Sequence, residues 1–225
     1  MKRTVRWVLP LLAAVLMPIG SVVADDWFTW GNGVKGSGDI VTESRDVGDF
    51  DRINSAGAFD IHVTVGPEPT LKIEFDDNLI ELIETEVRGG TLRIDSRKSF
   101  RSRSDCTITI TVPSLERITS SGSGDITVER LSGELFECRL SGSGSITAEG
   151  EIGEIEATIS GSGDIDARNL KAKSAFARVS GSGEIAVYAT DDFDGVVSGS
   201  GDIFYYGDPA KTSVNVSGSG RIKAR

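Results

Sequence analysis

The chain has 225 residues, of which 38% are hydrophobic, and its 34 acidic residues outnumber the 24 basic ones to give a net charge of −10. This acidity excludes nucleic acid as an expected partner, because phosphate binding depends on Lys and Arg side chains. Two cysteines and one histidine are too few for a zinc site, and no cofactor is expected.

The first 24 residues have the three parts of a secretory signal peptide. Lys2, Arg3 and Arg6 form a basic start, an apolar run covers 8–19, and small residues precede an expected cleavage after Ala24. Removing this segment takes away three bases and no acids, which changes the net charge from −10 to −13. No later stretch reaches the ~20 apolar residues of a membrane-spanning helix. We therefore expect an exported protein, periplasmic or at the cell surface, without a transmembrane segment.

Residues 25–225 are predicted to form one domain, which begins with degenerate copies of a repeat (31–65). Residues 50–63, FDRINSAGAFDIHV, align without a gap on residues 115–128, LERITSSGSGDITV. A shorter fragment, GSGDI, occupies Gly36–Ile40 and is interpreted as an earlier copy. The repeat therefore starts well before its most regular part.

Segment 66–112 is predicted to be an insertion of strands and a short helix. We expect strands at Leu71–Phe75, Thr85–Val87 and Leu92–Asp95, a helix near Asn78–Ile83, a turn at Gly89-Gly90 and a solvated basic loop at 96–105. A local contact with an anionic group is the alternative role of that loop.

Residues 113–225 contain six regular copies of a Ser-Gly-Ser-Gly motif that leads to an isoleucine. The copies begin at Ser121, Ser141, Ser160, Ser180, Ser198 and Ser217, so they recur every 18 to 20 residues. A linker has no reason to keep this period, whereas a solenoid with one coil per repeat does. The predicted fold is all-β, a single-stranded right-handed parallel β-helix, or β-solenoid, of ~19-residue coils.

Each repeat alternates with a period of two residues. In the third copy, Ile159, Gly161 and Gly163 share one parity, while Ser160 and Ser162 share the other. This alternation predicts strands with the glycines inward, where a Cβ atom would crowd a bend or a nearby backbone, and the serines toward water. One isoleucine per coil is expected in a buried column of Ile126, Ile146, Ile165, Ile185, Ile203 and Ile222.

The motifs also occur in a specific order. The lead-in GNGVKGSGDIVTESRDVGDFDRI is followed by DDNLIELIETEVRGGTLRI, by the serial SGSGDI copies and by the ending GSGDIFYYGDPAKTSVNVSGSGRI. This order resembles the head GIN domain family, often labelled putative auto-transporter adhesin, over nearly all of residues 31–225. The resemblance implies a right-handed parallel β-helix in exported bacterial proteins, and it brings no catalytic motif.

The outward parity of the regular coils predicts a flat, hydroxyl-rich binding face for a glycan or another component of the cell envelope. Its two serine columns contain Ser141, Ser143, Ser160, Ser162, Ser180, Ser182, Ser198 and Ser200. Trp27, Phe28 and Trp30, and the outward Phe204 and Tyr206, could add stacking platforms. The alternative for the tryptophans is packing over the first coil.

A column of carboxylates is expected beside the serines. Asp164, Glu184 and Asp202 occupy the acid place of successive coils, and stacking would put them about 5 Å apart. Calcium prefers oxygen ligands, so these residues form the candidate metal site. The alternative is an exposed acidic ladder that prevents sideways pairing, and the absence of the calcium-binding nonapeptide favours it.

The residues give little support for catalysis. His62, the only histidine, takes the outward place that Thr127 holds in the aligned copy, so we interpret it as an exposed strand residue. Gly31, Gly33 and Gly36 spell a dinucleotide pattern, but no βαβ unit follows. We expect a non-catalytic adhesion, binding or envelope-scaffold module. The alternatives are a polysaccharide lyase or glycosidase on a β-helix and a purely structural periplasmic protein.

The two cysteines, Cys106 and Cys138, could pair in an oxidising compartment. They fall at different phases of the repeat, so a disulfide and two free thiols both stay open as expectations.

Overall fold

The computed structural model of the chain describes residues 33–225, so the expected signal peptide and Trp27, Phe28 and Trp30 lie outside the described residues. The first strands are β1 (Val34–Lys35), β2 (Ile40–Ser44), β3 (Arg52–Ala56), β4 (Asp60–Val65), β5 (Thr70–Asp76), β6 (Ile83–Arg88), β7 (Thr91–Ser96), β8 (Phe100–Arg101) and β9 (Thr107–Val112). They are followed by β10 (Arg117–Ser120), β11 (Ile126–Leu140), β12 (Ser145–Ile159), β13 (Asp164–Val179), β14 (Glu184–Val197), β15 (Asp202–Tyr206), β16 (Lys211–Val216) and β17 (Arg221–Ala224). A 3₁₀ turn at Ile80–Leu82 lies where the short helix was expected.

The regular repeats form a stack of parallel coils, which confirms the predicted all-β solenoid. Strands that lead into each Ser-Gly-Ser-Gly motif form one sheet, the lead-in sheet, which contains β3, β10, β16 and the second halves of β11–β14. Strands that follow the motif form the follow-on sheet, which contains β4, β15, β17 and the first halves of β11–β14. Each coil therefore passes from one sheet to the other at its motif.

The predicted isoleucine column is present in the follow-on sheet. In-register pairs join Ile126, Ile146, Ile165, Ile185, Ile203 and Ile222. The column also continues backwards through Ile61 to Ile108. Ile222 in the last coil is half-buried, and the other seven side chains are fully buried. Each additional coil thus extends one apolar core.

The motif glycines are required by the close stacking of one coil on the next. A Cβ atom added to Gly142 would lie 1.7 Å from the carbonyl oxygen of Gly122, one coil earlier. The same carbonyl accepts a hydrogen bond from the N–H of Ser143 at 3.1 Å. Gly163 is buried and Ser162 is exposed, which confirms the predicted parity.

The degenerate copy at 52–65 is a true coil. Ile53 pairs with Ile118, and Ile61 pairs with Ile126, as the gapless alignment predicted. On its other side, β3 and β4 pair in parallel with β7 and β9, both from the segment expected to be an insertion. Residues 91–112 therefore form a further coil, which stacks on the 52–65 coil on the side opposite to β10.

Antiparallel strands form the end of the stack that lies beyond the coil at 91–112. β6 pairs with β7, β5 pairs with β9, and β2 pairs with β5. The GSGDI fragment at Gly36–Ile40 leads into β2, so it is not the parallel coil that its sequence suggested. It forms a loop instead, in which the N–H of Ser37 donates to Asn78 at 3.0 Å and the hydroxyl of Ser37 donates to Asp77 at 2.6 Å.

At the opposite end, β16 and β17 form the last coil. β16 pairs with β14, and β17 pairs with β15, and among residues 33–225 no strand covers their outer edges. None of the helical structure within 33–225 is long and apolar enough to cross a membrane.

Candidate binding face

The expected serine columns lie at the corner between the two sheets. All eight serines are exposed, namely Ser141, Ser143, Ser160, Ser162, Ser180, Ser182, Ser198 and Ser200. Their backbone N–H groups donate to carbonyls of the preceding coil, for example from Ser162 to Gly142 at 3.2 Å and from Ser182 to Gly161 at 3.1 Å. The backbone is thereby fixed, and the hydroxyls repeat at the strand spacing of about 4.8 Å.

The carboxylates beside the serines bond to the next coil. The Asp164 carboxylate accepts a hydrogen bond from the N–H of Glu184 at 2.8 Å. Asp125 accepts from both the N–H and the hydroxyl of Ser145, at 2.9 and 2.8 Å. Asp60 accepts from the N–H of Asp125 at 3.2 Å. These side chains satisfy backbone donors at the corner, a role that the sequence reasoning missed.

The acid column does not gather into a metal site. Asp202 forms an ion pair with Arg221, and hydrogen bonding from Arg221 lowers the pKa of Asp202 below its usual value. Among the described residues, no group of three or more His, Cys, Asp or Glu side chains could hold a metal ion. The calcium hypothesis for Asp164, Glu184 and Asp202 therefore gains no support from the geometry.

Arginine side chains lie over the rings of Phe204 and Tyr206, the expected aromatic platforms. The guanidinium of Arg225 lies 4.7 Å from the centre of the Phe204 ring, and that of Arg168 lies 6.0 Å from the Tyr206 ring. Cations at these distances are attracted to the ring faces. A sugar could stack on the face that carries the cation only after that cation moved. The two rings are half-buried and the serines are exposed, so the serine columns form the more accessible part of the surface.

The two cysteines do not form a disulfide. Both are free and buried, and burial raises the pKa of each thiol to about 12. Cys138 stacks between Ile118 and Ala157 in the lead-in sheet, whereas Cys106 immediately precedes β9 of the follow-on sheet. The two residues lie three coils apart, on the order of 14 Å along the stack at the strand spacing, which exceeds the Cα separation of a disulfide.

Two concave surfaces lie at the end of the stack formed by β2, β5 and β6, and others lie beside β16 and beside β10. A cavity of about 500 Å³ is lined by the 45–51 connection and the start of β5. An open depression of about 960 Å³ lies between β2 and β6. Arg45 borders both, and its guanidinium donates to the carbonyls of Ile80 at 3.0 Å and Ile83 at 2.5 Å.

His62 is exposed on β4, as predicted.

The chain is similar to one protein family and to several solved structures. The sequence profile of the family described as "Putative auto-transporter adhesin, head GIN domain" matches residues 49–209. A structure described as a putative adhesin from Bacteroides fragilis NCTC 9343 is 28% identical, with a TM-score of 0.72, over 86% of this chain and 100% of that chain. No curated protein matches the chain.

Two other structures are less similar. A "Putative lipid binding protein" from Parabacteroides distasonis ATCC 8503 is 26% identical, with a TM-score of 0.53, over 85% of this chain and 99% of that chain. A putative adhesin from Parabacteroides merdae ATCC 43184 is 19% identical, with a TM-score of 0.59, over 85% of this chain and 98% of that chain. The latter likeness shows the fold alone.

Proposed function

The chain belongs to the head GIN domain family, and from this membership we propose that it is an exported, non-catalytic binding module. Its ligand-facing surface is the pair of serine columns, and its ligand is an extended polymer, either a glycan or another polymer of the cell envelope. The family description and the B. fragilis structure both carry the name of an adhesin, which supports a binding role in general terms.

The observation that carries the proposal is the regularly repeated, exposed pair of serine columns. Each coil presents two hydroxyls from a backbone that is hydrogen-bonded to the coil below. A hydroxyl both donates and accepts hydrogen bonds, so the columns match a ligand that is rich in hydroxyls. Because the columns repeat, a polymer can make several weak contacts at once, and these contacts reinforce one another.

The acid column supports a binding role over a glycosidase. Hydrolysis of a glycoside needs a carboxylic acid and a second carboxylate held on either side of the scissile bond. Here Asp125 and Asp164 point to the backbone N–H groups of the next coil, and Asp202 is paired with Arg221. These carboxylates maintain the corner that presents the serines.

A glycan array with the purified chain tests this proposal. We expect the variant Ser160→Gln/Ser182→Gln to lose binding, because a larger side chain then fills each of the two columns near its centre. Ser132→Gln changes an exposed serine outside the columns and is the matched control. The proposal fails if the wild-type chain binds no envelope polymer or if the double variant binds as well as the control. Turnover of any polysaccharide would overturn the non-catalytic assignment.

A further inference from the structure

The coil formed by β16 and β17 has core-facing side chains that no other part of residues 33–225 covers. Val214 and Val216 pair in register with Gly195 and Val197 of the preceding coil, both of which are buried. The two valines therefore continue the core-facing columns, yet they are 54% and 44% exposed. Apolar side chains in these positions are normally covered by another strand.

At the opposite end of the stack, β6 and β2 are the outermost strands of the lead-in and follow-on sheets. β6 ends the lead-in sheet, and among residues 33–225 it pairs with β7 alone. β2 ends the follow-on sheet and pairs with β5. Val41 lies opposite the buried Phe75 and is 40% exposed, and Thr85 and Val87 of β6 lie half-buried opposite Ile94 and Leu92.

The two ends match in strand geometry. β16 and β6 each have six residues and terminate the same sheet at opposite ends. β17 and β2 have four and five residues and terminate the other sheet. A second copy shifted along the stack would place its β6 against β16 and its β2 against β17. The paired strands would satisfy backbone groups of these edge strands, apart from the carbonyl of Ile83 in β6, which accepts from Arg45.

The two ends also have opposite charge. Residues 209–225 contain four basic residues and no acid, although the chain as a whole is acidic. Residues 76–86 contain five acids and no base. The depression between β2 and β6 is bordered by five acids and three arginines, a net charge of −2, and each arginine is ion-paired with one of the glutamates. At the other end, Lys211 and Arg221 pair with Asp192 and Asp202, whereas Lys223 and Arg225 add positive charge. Two copies placed with like ends together would repel each other, whereas unlike ends attract.

We propose that this chain associates head to tail with a second copy of itself, the β16–β17 end of one copy docking on the β2–β6 end of the next. The contact is heterologous, so each copy keeps one free end of each kind, and copies can continue to add. The serine columns of successive copies then lie on one continuous stack. This association is independent of the identity of the ligand.

Sedimentation velocity of the purified chain over a range of concentrations tests the proposal. We expect the wild-type chain to form larger species as its concentration rises, and high salt to weaken them by screening the charged ends. Val214→Asp and Val41→Asp each place an acid on one end, and each variant alone is expected to associate at least about tenfold more weakly. Leu135→Asp, at a 47% exposed leucine on the side of the stack, is the matched control.

Mixing the two variants distinguishes head-to-tail contact from contact between like ends. A Val41→Asp copy keeps an intact β16–β17 end, and a Val214→Asp copy keeps an intact β2–β6 end. An equimolar mixture should therefore form dimers that neither variant forms alone. A monomeric wild-type chain overturns the proposal, and so does a Val41→Asp variant that dimerises by itself. Unchanged thermal unfolding by circular dichroism shows that the variants remain folded.

Discussion

The carboxylate of Asp164 accepts a hydrogen bond from the backbone N–H of Glu184, the residue at the same place in the next coil. The side chain of one repeat thus satisfies the backbone of the following repeat. A similar bond joins Asp125 to Ser145. The recurring acid after the Ser-Gly-Ser-Gly motif is explained by this contact between coils.

Removal of this contact should lower stability by a small amount. We expect Asp164→Ala to cost about 1 kcal/mol in the free energy of unfolding, the usual net value of one hydrogen bond. Asp164→Asn should retain most of the stability, because its amide oxygen can still accept the bond. Urea titration followed by circular dichroism measures the difference. Equal losses in the two variants would contradict the assigned role.

Substitution of a buried motif glycine should be far more harmful than substitution of its neighbour. A Cβ atom at Gly163 would lie 2.0 Å from the carbonyl oxygen of Gly144, so the coils would have to separate. We expect Gly163→Val to destabilise the fold by about 3 kcal/mol or more. Ser162→Ala, at an exposed position next to it, should be nearly neutral. Denaturant midpoints of the two variants test the contrast.

Arg45 should be important for the end of the stack at which it lies. Its guanidinium donates to the carbonyls of Ile80 and Ile83 and to the hydroxyl of Thr85. We expect Arg45→Met to cost about 2 kcal/mol, since hydrogen bonds from charged groups are stronger than neutral ones. Hydrogen exchange should increase first in β6. Arg97→Met, which removes an exposed ion pair with Glu84, is the control and should change little.

The ion pair between Arg221 and Asp202 should make stability depend on pH. Because the pKa of Asp202 is lowered in the folded chain, the pair stabilises the fold above the ordinary pKa of an aspartate. This contribution is lost as the pH falls through the lowered value. In Arg221→Gln we expect the pKa of Asp202 to rise toward its ordinary value, which an NMR titration of the carboxyl would show. An unchanged pKa would contradict the pairing.

The cysteines should be unreactive until the chain unfolds. Burial raises the pKa of Cys106 and Cys138 to about 12, so both are protonated thiols at neutral pH. We expect a disulfide reagent to label neither thiol in the native chain and to label both in denaturant without reductant. Labelling that appears in denaturant only after reduction would show a disulfide instead.

The regular coils were predictable because the repeat has a fixed period. Residues at equal places, such as Ile146 and Ile165, pair in register once the chain forms one coil per repeat. The exposure of Ser162 and the burial of Gly163 then follow from strand alternation. The shared period thus predicts both the fold and the position of the candidate face.

The remaining features depend on contacts that the repeat does not encode. Residues 91–112 lack the Ser-Gly-Ser-Gly motif, so their place in the stack follows from strand pairing alone. Arg45 is one arginine among several, and its carbonyl partners lie 35 and 38 residues away in sequence. The cations over Phe204 and Tyr206 come from other coils, and alternation within one strand does not show them, so parity alone presented these rings as open platforms.

The coil at 52–65 lies between two segments that are both synthesised after it. β3 pairs with β7 on one side and with β10 on the other. A chain that emerges N-terminus first therefore presents this coil with both edges open before either neighbour exists. The first coil in sequence order is therefore an interior coil and not an end of the finished stack, and neighbours can add to it on two opposite sides.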